Sequence, residues 1–242
     1  MHFLTFTLYA PMCSCGEVAV GERRMSWARP GRSAVLGLVA AAKGILRSDS
    51  AGHDDLESGL YYAVCTDAPG RSLVDYHTTQ SGRPARGQVF RTRREELGAS
   101  SKVQTVLSVR EWRADALYRA ALWLRPHSSV DLRDLLDALR SPAFVLYLGR
   151  KSAPLGLPLD PQIVVADDVF GALATRKTNP EESALLDRIG WDPGKLVQLA
   201  CDGDAPGVPD GSRQERRRDS VVSRERWQFA DRVERVWEVE GT

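Results

Sequence analysis

The sequence predicts an α+β fold, and three features carry that expectation. Apolar residues alternate with a period of two near the N-terminus and again over 114–124. The stretches 33–46 and 129–141 repeat instead with the period of a helix. Between these halves lie two extended, β-branched segments, VDYHTT and VQTVLSV, separated by a basic link. In chain order this reads β-α-β, an inserted hairpin, then β-α-β. Split βαβ units with both helices on one face of an antiparallel sheet make a ferredoxin-like βαββαβ core, the RRM-like arrangement that RNA-recognition domains share.

Each element has a local reason. In HFLTFTLYA, Thr5 and Thr7 alternate with Leu4, Phe6 and Leu8. That pattern suits a strand, and without a basic region before it the stretch does not read as an export signal. A loop rich in Gly, Pro and Arg covers 11–32. Ser33 then offers an N-cap for SAVLGLVAAAKGIL, whose Val35, Leu38, Val39, Ala42, Ile45 and Leu46 share one helical face. After a short polar turn, LYYAVCTDA (60–68) reads as a strand stopped by Pro69-Gly70.

Residues 71–79 and 102–112 form the two arms of the hairpin, an insertion placed at about 76–113. Ala116, Tyr118, Ala120, Leu122 and Leu124 face one way along the next strand. In SSVDLRDLLDALR, Ser129 serves as the cap and Leu132, Leu135, Leu136 and Leu139 as the buried side. FVLYL (144–148) is expected to close the core, giving a unit at 1–152. Residues 153–242 form a β-rich C-terminal extension packed on the same domain. It holds a short helix at ESALLDRIG, a loop over 202–212 and final strands in WQFADRVERVWEV.

Composition bounds the function. Lys plus Arg number 33 against 32 for Asp plus Glu among 242 residues, so any electrostatic argument must be local. Cys13, Cys15, Cys65 and Cys201 lack zinc-site spacing, and His2, His53, His77 and His127 are equally dispersed. Buried reduced thiols are expected, with no metal and no cofactor. The longest apolar run, Ala34 to Leu46, is too short to cross a bilayer and contains Lys43. The expectation is a cytoplasmic protein with no membrane partner.

Three basic loops are candidates for chemistry. ARPGRS (28–33) precedes the first helix, where free N–H groups favour an anion and Arg29 and Arg32 add charge. YLGRKSAPL (147–155) sets Gly149 beside Arg150, Lys151 and Ser152. RPARGQVFRTRR (83–94) carries five arginines with no acidic residue, and 71–113 as a whole holds nine basic residues against four acidic. Standing alone, ARPGRS and YLGRKSAPL read first as plain solvated turns, and a basic loop like the third is common. In the third, Val89 and Phe90 amid the arginines suit backbone contact with an apolar wedge at the bases.

The successive blocks LYAPMCSCGE, RPGRSAVLGLVAAAKGI, DYHTT, VQTVLSVREWRADALYRAALWL and YLGRKSAPLGLPL resemble, in order, those of the CasD family. That family supplies the crRNA 5′-handle-binding subunit of the type I-E CRISPR Cascade complex. The tail QERRRDSVVSRERWQFADRVERVW resembles the family's final strands. The resemblance implies a non-catalytic subunit that caps one end of the assembly, with the hairpin acting as a thumb that kinks the guide near the handle–spacer junction. It implies RNA contacts from Met12 and Ser14, from Arg29, Gly31, Arg32 and Ser33, and from His77 and Gln104. It implies further contacts from Arg83, Arg86, Val89, Phe90, Arg91, Arg93 and Arg94 at the tip, and from Arg150, Lys151 and Ser152. The implied partners are the crRNA 5′ handle, the Cascade backbone subunits, the large subunit and target DNA near the complex. Where the family commonly has Trp in the first loop, this chain has Cys15.

Two other readings compete. One is a metal-independent endoribonuclease processing precursor crRNA, with Tyr76, His77 and Lys102 as its catalytic groups. The other is a ferredoxin-like regulatory module for a small ligand, which leaves the basic hairpin unexplained.

Overall fold

A strand of alternating Leu, Phe and Thr starts the chain: β1 (His2–Cys13). The computed structural model describes residues 1–16, 21–98, 103–190, 197–206 and 211–239. There follow β2 (Arg23–Arg24), α1 (Arg32–Lys43), α2 (Ser50–Gly59), β3 (Leu60–Ala68), β4 (Arg71–Gly82) and α3 (Arg93–Gly98). Next come β5 (Val103–Leu124), α4 (Leu132–Arg140), β6 (Gln162–Val165), α5 (Val169–Thr175) and α6 (Pro180–Arg188). The chain closes with β7 (Val197–Asp202), β8 (Arg213–Ser223) and β9 (Gln228–Val239).

The nine strands among the described residues form one sheet, ordered β6-β1-β5-β3-β7-β9-β8, with β2 and β4 also paired to β5. Every neighbour along the main order is antiparallel, and only β2 runs parallel to its partner. Both faces of the central strands are buried. On one face Leu4, Phe6, Leu8, Tyr118 and Leu122 pack with Val35, Val39 and Leu135 from α1 and α4. On the other, Phe3, Tyr61 and Trp123 pack with Val169 and Leu173 of α5. No helix among the described residues is long and apolar enough to cross a membrane.

Several expected elements stand as read, notably β1, β3 and a helix at 180–188. Four differ. FVLYL (144–148) is not a strand: its one pairing is the isolated bridge Tyr147↔Pro154, and Phe144 and Val145 are exposed. The place beside β1 goes instead to β6, in register His2↔Val165 to Thr5↔Gln162. An unbroken apolar run does not distinguish a buried strand from a surface segment; only the partner does. Ser33 is not the cap of α1, which begins one residue earlier behind Gly31 with no side-chain cap bond. Ser129 yields to Asp131, whose carboxylate accepts from the Arg133 N–H at 2.7 Å. The polar turn after α1 contains α2, capped by Asp49.

The hairpin and the strand after it are continuous. β4 and β5 pair from Arg71↔Ala114 to Gly82↔Val103, and β5 then runs on into the core to Leu124. The departure point is built at Gly70 (φ +61°) and Asp115 (φ +56°), where a Cβ on Gly70 would collide with the Ala114 carbonyl. Left-handed backbone thus marks both sides of the junction between β3 and the hairpin, at the β3–β4 turn and within β5.

Candidate nucleic-acid interface

At the hairpin base, β2 places Arg24 opposite Arg110 on β5, and across β5 the same residue faces Asp75 of β4. Directly paired residues share a face of a sheet, so Arg24, Arg110, Trp112 and His77 lie on one side. Arg150 reaches that side from the YLGRKS loop. Its guanidinium lies 4.2 Å from the Trp112 ring centroid and donates to the Arg24 carbonyl at 3.2 Å. Partial burial, and then the nearby charges of Arg110 and Arg24, lower the pKa of Arg150. None of these three arginines forms a salt bridge among the described residues. Asp75 is the nearby carboxylate, and its bond goes to His77, so positive charge is in excess here.

The loop that carries Arg150 is rigidly seated. Gly149 has φ +88°, and a Cβ there would fall inside the Ser14 carbonyl oxygen. The Ser14 N–H donates to the Leu148 carbonyl at 3.2 Å, and Leu148 N–H to Ala153 at 2.9 Å. Ser14 is therefore buried and acts through its backbone, while Met12 is partly exposed beside it. Lys151 and Ser152 project at the turn. Cys15 points inward, with its Sγ 3.7 Å from the Tyr118 hydroxyl. All four cysteines are free and buried.

At the tip, the structure answers part of the arginine excess. Arg93 pairs with Glu96 at 2.6 Å and donates to the Gln80 carbonyl, which closes α3 onto β4. The Arg93 hydrogen bond also holds the Glu96 carboxyl below its usual range. Arg83 donates to Gln104 at 3.2 Å, bringing two expected contact residues together. Phe90 turns back against Gly82, and Val89 is the exposed apolar side chain, at 81%. As a wedge the two residues are not equivalent. Arg86, Arg91 and Arg94 are exposed, and no carboxylate pairs with their side chains among the described residues.

The ARPGRS expectation is corrected. Arg29 and Arg32 are only 4% and 3% exposed. Arg29 binds Glu234 and, at 2.7 Å, Glu215; Arg32 binds Glu57 and, at 3.2 Å, Asp202. The Asp219 carboxylate sits over Gly31, so the anion at this helix entrance is the protein's own. Ser33 offers its carbonyl to Arg224 at 2.5 Å. Buried charge must be paired, and these carboxylates pair it.

Residues 3–233 match the family described as CRISPR-associated protein (Cas_Cas5). The chain belongs to the Cas5 family. Over 165 residues it is 32% identical to "CRISPR system Cascade subunit CasD" of Escherichia coli (strain K12), covering 65% of this chain and 69% of that relative. A solved chain described as "CRISPR RNA-guided surveillance complex" superposes with a TM-score of 0.65 at 25% identity, over 99% of this chain and 90% of the other. Another, "Crystal structure of Cas protein", shares the fold with a TM-score of 0.61 at 22% identity, over 99% and 95%.

In this Cas5 chain the fold thus gathers Arg150, Met12, Ser14 and His77 near the hairpin base and places Arg83, Arg86, Arg91, Arg94 and Gln104 at its far end. It removes Arg29 and Arg32 from the surface. Sequence reading missed Arg24, Arg110 and Trp112. Their signals, GERR and VREWR, are two short basic motifs that meet only through strand pairing. Alanine at Arg86, Arg91 and Arg94 of this Cas5 chain is expected to flatten the log–log salt dependence of guide RNA binding by up to about two units, at about 0.7 per single-strand phosphate contact. Salt titration of RNA binding checks this, and an unaltered slope would make the tip a solvated loop.

Proposed function

We propose that the chain is a non-catalytic subunit of a type I-E CRISPR Cascade that binds and caps the crRNA 5′ handle, its hairpin kinking the guide near the handle–spacer junction. The partners are the crRNA, the Cascade backbone and large subunits, and target DNA near the complex. Family membership over 3–233, the CasD relative and the surveillance-complex likeness support the assembly. The observation that carries the RNA contact is the Arg24–Arg110–Arg150 cluster, which forms no salt bridge among the described residues, with Arg150 on Trp112 above a locked loop. Guanidiniums so placed match phosphates. The order β6-β1-β5-β3 with α1 and α4 on one face supports the ferredoxin-like, RRM-like reading of the core, with 153–242 as its extension.

Arg150→Ala is expected to weaken handle RNA binding by about 1.5–3 kcal/mol and to lower the salt slope by about 0.7. Filter binding by the chain and by the assembled complex measures both. Unchanged affinity would remove the cluster from the interface.

The endoribonuclease reading draws on Tyr76, His77 and Lys102. Lys102 lies outside the described residues. Tyr76 and His77 are consecutive on β4 and point to opposite faces, and His77 is held by Asp75 at 2.9 Å. Specific cleavage of repeat RNA, lost in both Tyr76→Phe and His77→Ala, would favour it.

A further inference from the structure

We propose that the turn joining β8 to β9 is a second single-stranded RNA platform, where a base stacks on Trp227 and Arg47 and Arg224 hold the adjoining phosphates. This rests on the RNA-binding reading above and extends the bound strand beyond the Gly149 loop.

Trp227 is 59% exposed and adopts φ +56°. A bulky side chain in the left-handed region works against local backbone preference, and the core gains nothing from this ring. The ring is nonetheless ordered by its neighbours. Phe229 braces it edge-on, with centroids 5.4 Å apart, and the Arg47 guanidinium lies 4.9 Å from its centroid. An exposed indole braced by an aromatic neighbour, whose covering Arg47 can swing onto a phosphate and free the ring face, has the chemistry of a base-stacking platform.

The cations beside it lean on rings and a carbonyl rather than on carboxylates, with the Arg224 guanidinium 5.9 Å from the Phe229 centroid. Arg224 donates to the Ser33 carbonyl, but its Nε has no hydrogen-bond partner and its guanidinium stands over Gly37. Neither Arg47 nor Arg224 forms a salt bridge among the described residues. Glu57, the carboxylate that acts on Arg224, is already engaged by Arg32 and Ser220. Glu225 of the turn is the other acid close by in the chain. Arg224 also senses Tyr147, which forms the bridge to Pro154 that closes the Arg150 loop.

The test compares the full-length chain with Trp227→Ala, Trp227→Phe, Arg47→Ala and Arg150→Ala for binding to single-stranded RNA of its own repeat, in short and long versions. Trp227→Ala is expected to lower affinity for the long RNA on the order of tenfold, leaving the salt slope and melting temperature unchanged. Phe at 227 should restore most of the loss, and Arg47→Ala should lower the slope by about 0.7. The short RNA, filling only the Arg150 site, should bind all but Arg150→Ala normally. If Arg150→Ala weakens binding while Trp227→Ala leaves the long RNA untouched, the platform is wrong and the handle reading stands. If Trp227→Ala impairs only association with protein subunits, the turn is a protein contact and the proposal fails. If wild-type chain binds neither RNA, the handle reading itself falls.

Discussion

Glu234→Ala is expected to destabilise the protein by about 3–5 kcal/mol, the cost of leaving buried charges without their partner. Glu234 is fully buried and accepts from three guanidiniums: Arg29, Arg217 at 3.5 Å and Arg232 at 2.8 Å. These arginines come from the loop before α1, from β8 and from β9, so one carboxylate ties the N-terminal helix to the C-terminal strands. Arg29 keeps Glu215, and Arg232 keeps Asp219 at 2.6 Å, but Arg217 loses the only carboxylate it pairs with among the described residues. For a chain of this size the loss corresponds to a melting temperature lower by roughly 10 °C. Chemical denaturation of wild type, Glu234→Ala and Glu234→Gln measures it, with Gln recovering shape and hydrogen bonding but not charge. A loss under about 1 kcal/mol in the Ala variant would mean that the network is incidental to the fold. The same logic places Arg32 with the framework, since its side chain is spent on Glu57 and Asp202.

The second large effect is local. Gly149→Ala should displace the YLGRKS loop, because a methyl group there would overlap the Ser14 carbonyl at a backbone angle that L residues disfavour. Ser14 sits at the end of β1 and cannot yield without losing its bond to Leu148. The loop must therefore move, taking Arg150 off Trp112. Handle RNA binding should fall at least as far as in Arg150→Ala, while global stability drops by only about 1–3 kcal/mol. Comparing the two variants by RNA titration and thermal melting separates a positioning role from general damage. Wild-type affinity in Gly149→Ala would show that the loop geometry is irrelevant to binding.

Much of the architecture was legible in the residues. Period-two alternation of Leu4, Phe6 and Leu8 marked β1, and leucines at 132, 135 and 139 marked the buried side of α4. The hairpin was legible from its β-branched arms and the charge between them. Less visible was α5, whose seven residues are too few for a periodic signal, and β6, whose four depend on a partner at the far end of the chain. FVLYL misled because a short apolar run says that burial is favoured without saying which surface supplies it.

The sequence by itself determined the sheet-forming segments, the two main helices, the projecting hairpin and the family resemblance, because each rests on neighbours in the chain. Only the tertiary structure decided which arginines are free. Arg29 meets Glu234 across 205 positions and Arg32 meets Asp202 across 170, so two arginines that read as phosphate ligands are consumed inside the fold. Arg24, Arg110 and Arg150 are brought together beside the carboxylate of Asp75, which bonds His77 instead. Coulomb attraction depends on distance in space and on the water left between charges, and neither is written in sequence spacing.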